Sequence, residues 1–261
     1  MKPKLIKPNQ KPNQKPPIFE IGVKNYLYGD AVLALAKAAD SAAAKYNVDI
    51  IFITPYTEIR RVAENTGRLL VFAPYMDTLR PGRGLAGVLP EAVKAAGAKG
   101  VVINHCERPI ALADIKKTIE RANELDMLSF VCAGSIAEAQ AAAHFHPDII
   151  NPEPTDLIGS DKCSDIDFVL KSTRAVKDID PDIIVEQAAG LAYASQIYDM
   201  VYAGAEAVGV SSGICLSPNP AATLDEMAAH VRKGWDDRMK QINLTKTNLK
   251  GVAIKNETYF Y

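Results

Sequence analysis

The residues able to do chemistry stand where short apolar runs end. Lys24 follows IFEIGV. Asn104, His105, Cys106, Glu107 and Arg108 follow GVVI. Glu153 sits between two prolines after DIIN, and Gln187-Ala188-Ala189-Gly190 closes DIIVEQ. Ser211-Ser212-Gly213 closes the last such run. Each is ordinary by itself: a lone strand-end histidine is usually a hydrogen-bonded structural residue, and a carboxylate between prolines is usually an exposed loop group. Brought together they are a fixed cation, an imidazole and a carboxylate, the set that holds an anion and moves protons. Glycine-containing turns beyond Glu153, at Gly190 and at Gly213 are of the kind that receives phosphate through backbone N–H groups.

Something must gather these residues, and the pattern between them says what. Eight short runs, IFEIGV, DIIFIT, LLVFAP, GVVIN, LSFVCA, DIIN, DIIVEQ and AVGVSS, are apolar on both faces, as strands of a covered parallel sheet are. Helical stretches separate them, at residues 31–45, 90–96, 111–125, 135–144, 165–176, 192–203 and 222–239, with a weaker one near 57–65. Ser135 with Glu138 three residues on is a capping-box pattern. Strict alternation implies a parallel α/β fold. No GxGxxG follows the first run, which weighs against a dinucleotide-binding open sheet and for a (β/α)₈ barrel. In such a barrel all the residues above fall on one rim, at the carboxyl ends of the strands.

Composition fits one such domain. The chain has 261 residues, near the ~250 of a single barrel, and 48% are hydrophobic, enough for a large core. The net charge of −1 provides no broad positive field for nucleic acid or an anionic membrane, so a substrate phosphate must be held by local groups. No apolar run approaches the ~20 residues that span a bilayer. Cys106, Cys132, Cys163 and Cys215 show no metal-type spacing and read as reduced thiols of a cytoplasmic protein. Residues 1–16, with KPNQ twice in tandem, read as an extended or disordered arm. Residues 17–240 form the expected barrel domain, and 241–261 a C-terminal tail. The N-terminus has no apolar stretch of the secretory kind.

These residues carry a resemblance. INHCER at 103–108 is similar to the histidine segment of the triosephosphate isomerase family, and EPTDLIGS at 153–160 to the segment holding its base and opening its sixth loop. IGVKNY at 21–26 resembles its first-strand lysine segment, and GVSSG at 209–213 its eighth-strand phosphate loop. The likeness runs from Ile18 to about Arg238 and is strongest to the compact archaeal-type branch. It implies an aldose–ketose isomerase of carbohydrate metabolism acting on a small sugar phosphate. Glu153 would take a proton beside the carbonyl, His105 would polarise that carbonyl, and Lys24 would supply positive charge, with Glu107 orienting it. Triosephosphate isomerase is itself a standard illustration of this acid–base pairing. Gly159, Gly190, Ser212 and Gly213 would hold the phosphate. A mobile lid would begin near Pro154. No metal or organic cofactor is implied. The implied partners are the phosphorylated substrate and further copies of the chain, as a homodimer or homotetramer.

Several positions depart from the family pattern. Gly22 stands where the family has asparagine, and Ala86 where it has the threonine that crosses the dimer. Asp161 replaces a lid glycine, Ala188 a glycine of the seventh loop, and Cys106 a serine. Loss of a hydrogen-bonding side chain at Gly22 can alter specificity strongly. The substrate is therefore read as dihydroxyacetone phosphate, with two alternatives. One is a larger ketose phosphate such as a tetrulose phosphate. The other is a non-catalytic role in binding a phosphorylated metabolite.

Overall fold

The computed structural model describes residues 17–154 and 165–257, and of residues 246–257 only the backbone. Strands and helices alternate: β1 (Ile18–Gly22), α1 (Asp30–Tyr46), β2 (Asp49–Ile53), α2 (Ile59–Asn65), β3 (Leu70–Ala73), α3 (Pro90–Ala95), β4 (Gly100–Ile103), α4 (Leu112–Glu124), β5 (Leu128–Ala133), α5 (Ile136–Ala143), β6 (Ile149–Pro152), α6 (Ile166–Lys177), β7 (Ile184–Gln187), α7 (Ala194–Ala203), β8 (Ala207–Val210), α8 (Ser212–Cys215) and α9 (Pro220–Glu257). The strands pair in parallel in chain order, and β8 returns to β1, which closes a (β/α)₈ barrel.

All eight expected strands form. The weak helix expected over 57–65 opens as a 3₁₀ turn, Tyr56–Glu58, before α2, whose buried side chains are Ile59 and Val62 alone. The short α8 was not anticipated, and α9 continues past Met239 to Glu257. The arm at residues 1–16 lies outside the described residues.

Side chains alternate across each strand, so the barrel has two apolar shells. Phe19, Ile21, Ile50 and Phe52 face the helices. Ile18, Ile51, Phe72, Val102 and Phe130 fill the lumen. Full burial of each such side chain contributes ~1.5–3 kcal/mol. Inside, Phe72 and Phe130 meet edge to face at 6.5 Å, which closes the β3–β5 side. The opposite side, at β1, β7 and β8, carries Gly22, Ala188 and Gly209, and is left open for larger neighbours.

Helix ends fix the exits. Ser135 caps α5 by accepting from the Glu138 N–H at 3.2 Å, and Glu138 accepts from the Gly134 N–H at 2.7 Å. Asp165 caps α6 by accepting from the Phe168 N–H at 2.7 Å.

Candidate active site

Lys24 leaves β1 in the left-handed region, φ 48°, a conformation costing a side-chain-bearing residue ~1–3 kcal/mol. This turn aims its ammonium across the rim, where it donates to Glu107 Oε1 at 3.0 Å. Burial pulls the lysine's proton affinity down. The Glu107 hydrogen bond and the charges of Glu107 and Glu153 outweigh that, so its pKa ends above the ordinary value. Lys24 is a fixed positive charge at any physiological pH.

Asn104 turns the chain at the exit of β4, with φ 61°. Its amide donates to the Cys132 carbonyl at 3.0 Å, and its Oδ1 accepts from the Ile110 N–H at 3.0 Å. The loop between is thereby pinned, and the Arg108 N–H closes a turn onto the His105 carbonyl at 2.8 Å. Inside it, the Glu107 backbone N–H donates to His105 Nδ1 at 3.1 Å. A backbone N–H can only donate, so Nδ1 is the bare nitrogen and the ring proton sits on Nε2. Burial and the Lys24 charge hold the His105 pKa below the usual histidine value, and Glu107 offsets part of this. The ring is a neutral donor.

Glu153 follows β6 between Pro152 and Pro154, both with restricted backbones. Its N–H donates to the Ala133 carbonyl at 2.8 Å, extending the ladder by one residue. Asn151 Nδ2 lies 3.4 Å from its Oε2. Burial pushes its carboxyl up to about 7, with Lys24 opposing and Glu107 adding to the rise. A carboxylate with that proton affinity is a base matched to neutral pH. It borders a cavity of about 640 Å³ that includes Asn104, Cys106 and Cys132 and extends outward between α4 and α5, past Ile115 and Ala141.

The remaining expected residues gather at β7 and β8. Gly190 has φ 69°. Ser212 and Gly213 open α8, and a Cβ on Gly213 would lie 3.0 Å from Ala192 Cα and 3.3 Å from its carbonyl oxygen. A side chain there would be tighter than ordinary packing, so the glycine suits the close approach of the loop after β7 to α8. Ser211 Oγ donates to the Gly22 carbonyl at 2.6 Å and ties this corner to β1. Gly159, Asp161, Cys163 and the expected lid lie outside the described residues. Cys106 is exposed, while Cys132 and Cys215 are buried, and all three are free thiols. Among the described residues no three His, Cys, Asp or Glu side chains are grouped to hold a metal ion. No described helix is long and apolar enough to cross a membrane.

Two residues of the lumen escaped the sequence reading. Glu20 and Glu186 point inward from β1 and β7 below the rim and are buried. The signal was present: an acid interrupts each of the apolar runs IFEIGV and DIIVEQ at an inward position.

Parallel barrels do their chemistry at this rim. A buried carboxyl, a neutral imidazole and a fixed cation stand together there, beside the glycine turns of β7 and β8. Residues 18–193 match the family model described as triosephosphate isomerase, and the chain belongs to that family. It is 34% identical over 216 residues to the triosephosphate isomerase of Methanothermus fervidus, covering 81% of this chain and 97% of that one. It is 32% identical over 226 residues to that of Sulfurisphaera tokodaii, covering 85% and 98%. The crystal structure of triosephosphate isomerase from Bartonella henselae superposes with a TM-score of 0.69 over 83% of this chain and 99% of that one; at 15% identity it speaks to the fold.

Proposed function

We propose that the chain interconverts dihydroxyacetone phosphate and glyceraldehyde 3-phosphate through an enediolate. The observation that carries this is Glu153, a base raised to about 7 by burial, on the same rim as a histidine whose proton is fixed on Nε2. Glu153 takes a proton from the carbon beside the carbonyl. His105 Nε2–H donates to the carbonyl oxygen as negative charge builds there. Lys24 faces the same charge and the phosphate, with Glu107 holding its ammonium in place. His105 then moves a proton between the two oxygens, and Glu153 returns its proton to the neighbouring carbon. Gly190, Ser212 and Gly213 receive the phosphate through backbone N–H groups. No observation favours a larger ketose phosphate or a purely binding role.

Proton exchange tests this directly. Incubation with dihydroxyacetone phosphate in heavy water is expected to place deuterium on the carbon next to the carbonyl and to yield the aldose. Absence of exchange would remove the isomerase reading. We further infer a homodimer or homotetramer working in the cytoplasm. In support, Leu79 and Leu85 of the loop between β3 and α3 stand exposed, and the exposed Cys106 thiol is free. Sedimentation at a monomer's mass would remove the oligomer.

A further inference from the structure

Glu20 and Glu186 lie inside the barrel, 6% and 0% exposed. Oε1 of Glu20 and both carboxyl oxygens of Glu186 have no hydrogen-bond partner among the described residues. The strand register sets Glu20 opposite Ile51 on β2 and Gly209 on β8, neither of which carries charge. Gly209 makes the room: a Cβ there would run into Oε2 of Glu20 and lie 3.1 Å from Oε1 of Glu186, so the two carboxyls share the space over one glycine. The upper oxygen of Glu20 has a second neighbour. It sits 3.0 Å from where a Cβ on Gly22 would be, at the position where family members carry asparagine.

We propose that Glu20, backed by Glu186, is a positioning residue of the isomerase: its carboxyl occupies the lumen space left by Gly22 and controls the charge balance between Lys24 and Glu153. The inference rests on the isomerase reading for its consequence, not for its geometry.

The electrostatics follow from the surroundings. Glu186 faces Glu20 from β7, Glu153 from the end of β6, Cys132 from β5 and Cys215 from α8; above stands Lys24. Lys24 is the one cation acting on Glu20 among the described residues. Burial, then the Glu153 charge, push Glu20 up to about 8 against the pull of Lys24. Burial and the charges of Glu20 and Glu153 push Glu186 well above the carboxylate range. Two carboxyls this close in an apolar lumen do not both ionise. Near neutrality both hold their protons, Glu153 is the first of the three to ionise, and apart from its pairing with Glu107 the Lys24 charge is left to the substrate. When Glu20 loses its proton, its negative charge competes for Lys24, repels the dianionic ester and raises the proton affinity of Glu153. Turnover falls and KM rises.

The test is the pH profile of Glu20→Gln, which keeps the shape and removes the charge. The wild type is expected to lose kcat/KM as pH rises through about 8. In E20Q this alkaline limb moves up by at least ~1 pH unit while activity at pH 7 stays within ~3-fold. A merely structural role lowers activity equally at every pH, so superimposable profile shapes would overturn the proposal. A second measurement needs no variant and no turnover. Carbon-13 NMR of the glutamate-labelled wild-type enzyme is expected to show a carboxyl that stays protonated through neutrality and ionises near 8. If every glutamate other than Glu153 is ionised by pH 6, the proposal falls even if the enzyme isomerises trioses. If that carboxyl is seen but no exchange occurs in heavy water, the isomerase reading falls instead.

Discussion

At the scale of single residues, the rim divides charge among three side chains by giving each a different environment. Lys24 stays cationic through its hydrogen bond to Glu107, His105 stays neutral through burial and Lys24, and Glu153 is poised near neutrality by burial. In the role proposed for it Glu153 must be ionised to act, so kcat/KM is expected to fall as pH drops through about 7, the value to which Glu153 is raised. His105 contributes nothing to that limb, because its lowered pKa keeps it neutral there. Nitrogen-15 NMR should show a bare Nδ1 and a protonated Nε2 across the same range. Glu153→Asp withdraws the base by one methylene, and a displacement of ~1 Å is worth ~10²-fold. Turnover is expected to fall by about that factor with KM changed little; equal losses in both would make Glu153 a binding group.

At the scale of elements, strand ends deliver the chemistry and glycines set how closely the ends meet. A Cβ on Gly213 would push against backbone atoms of Ala192, which cannot swing aside as a side chain could. Gly213→Ala is therefore expected to displace the start of α8 from the β7 loop and raise KM ~10-fold, about 1.4 kcal/mol of lost phosphate binding. Steady-state kinetics beside an unchanged thermal midpoint would show it. Elements of this kind are where sequence is most readable. Eight β-branched runs and Ala-rich stretches announced the barrel because both faces of each strand are covered, and the rim residues followed from the rule that loops after strands carry function. Two features were not readable. The short α8 has only Ile214 and Cys215 buried, too little to make a period. The placement of Glu20 beside Glu186 depends on strands far apart in the chain that meet only because the sheet closes, and no local pattern encodes that closure.

At the scale of the whole molecule, the lumen acids tie stability to pH. Glu20 and Glu186 bind their protons more tightly folded than unfolded, where the ordinary value is near 4.5. Glu153 acts in the same direction. The folded chain therefore holds protons that the unfolded chain releases as pH rises above that value. Their contribution is complete at low pH and declines as pH rises, that of Glu20 up to about 8, where it ionises. His105, with its lowered value, works the other way below neutrality but is a single group. The thermal midpoint is expected to drop by ~5 °C between pH 6 and 8.5, and less in Glu20→Gln. A midpoint rising over that interval would contradict it. The same acids bear on how the chain is made. β1 is synthesised first, yet its outer edge has no partner until β8 arrives, and the Ser211–Gly22 bond across that seam spans 189 residues. Until then Glu20 waits in water as an ion. The ring closes only when the last strand emerges from the ribosome, and that closing step must draw protons from the surrounding solution to seal the first strand inside.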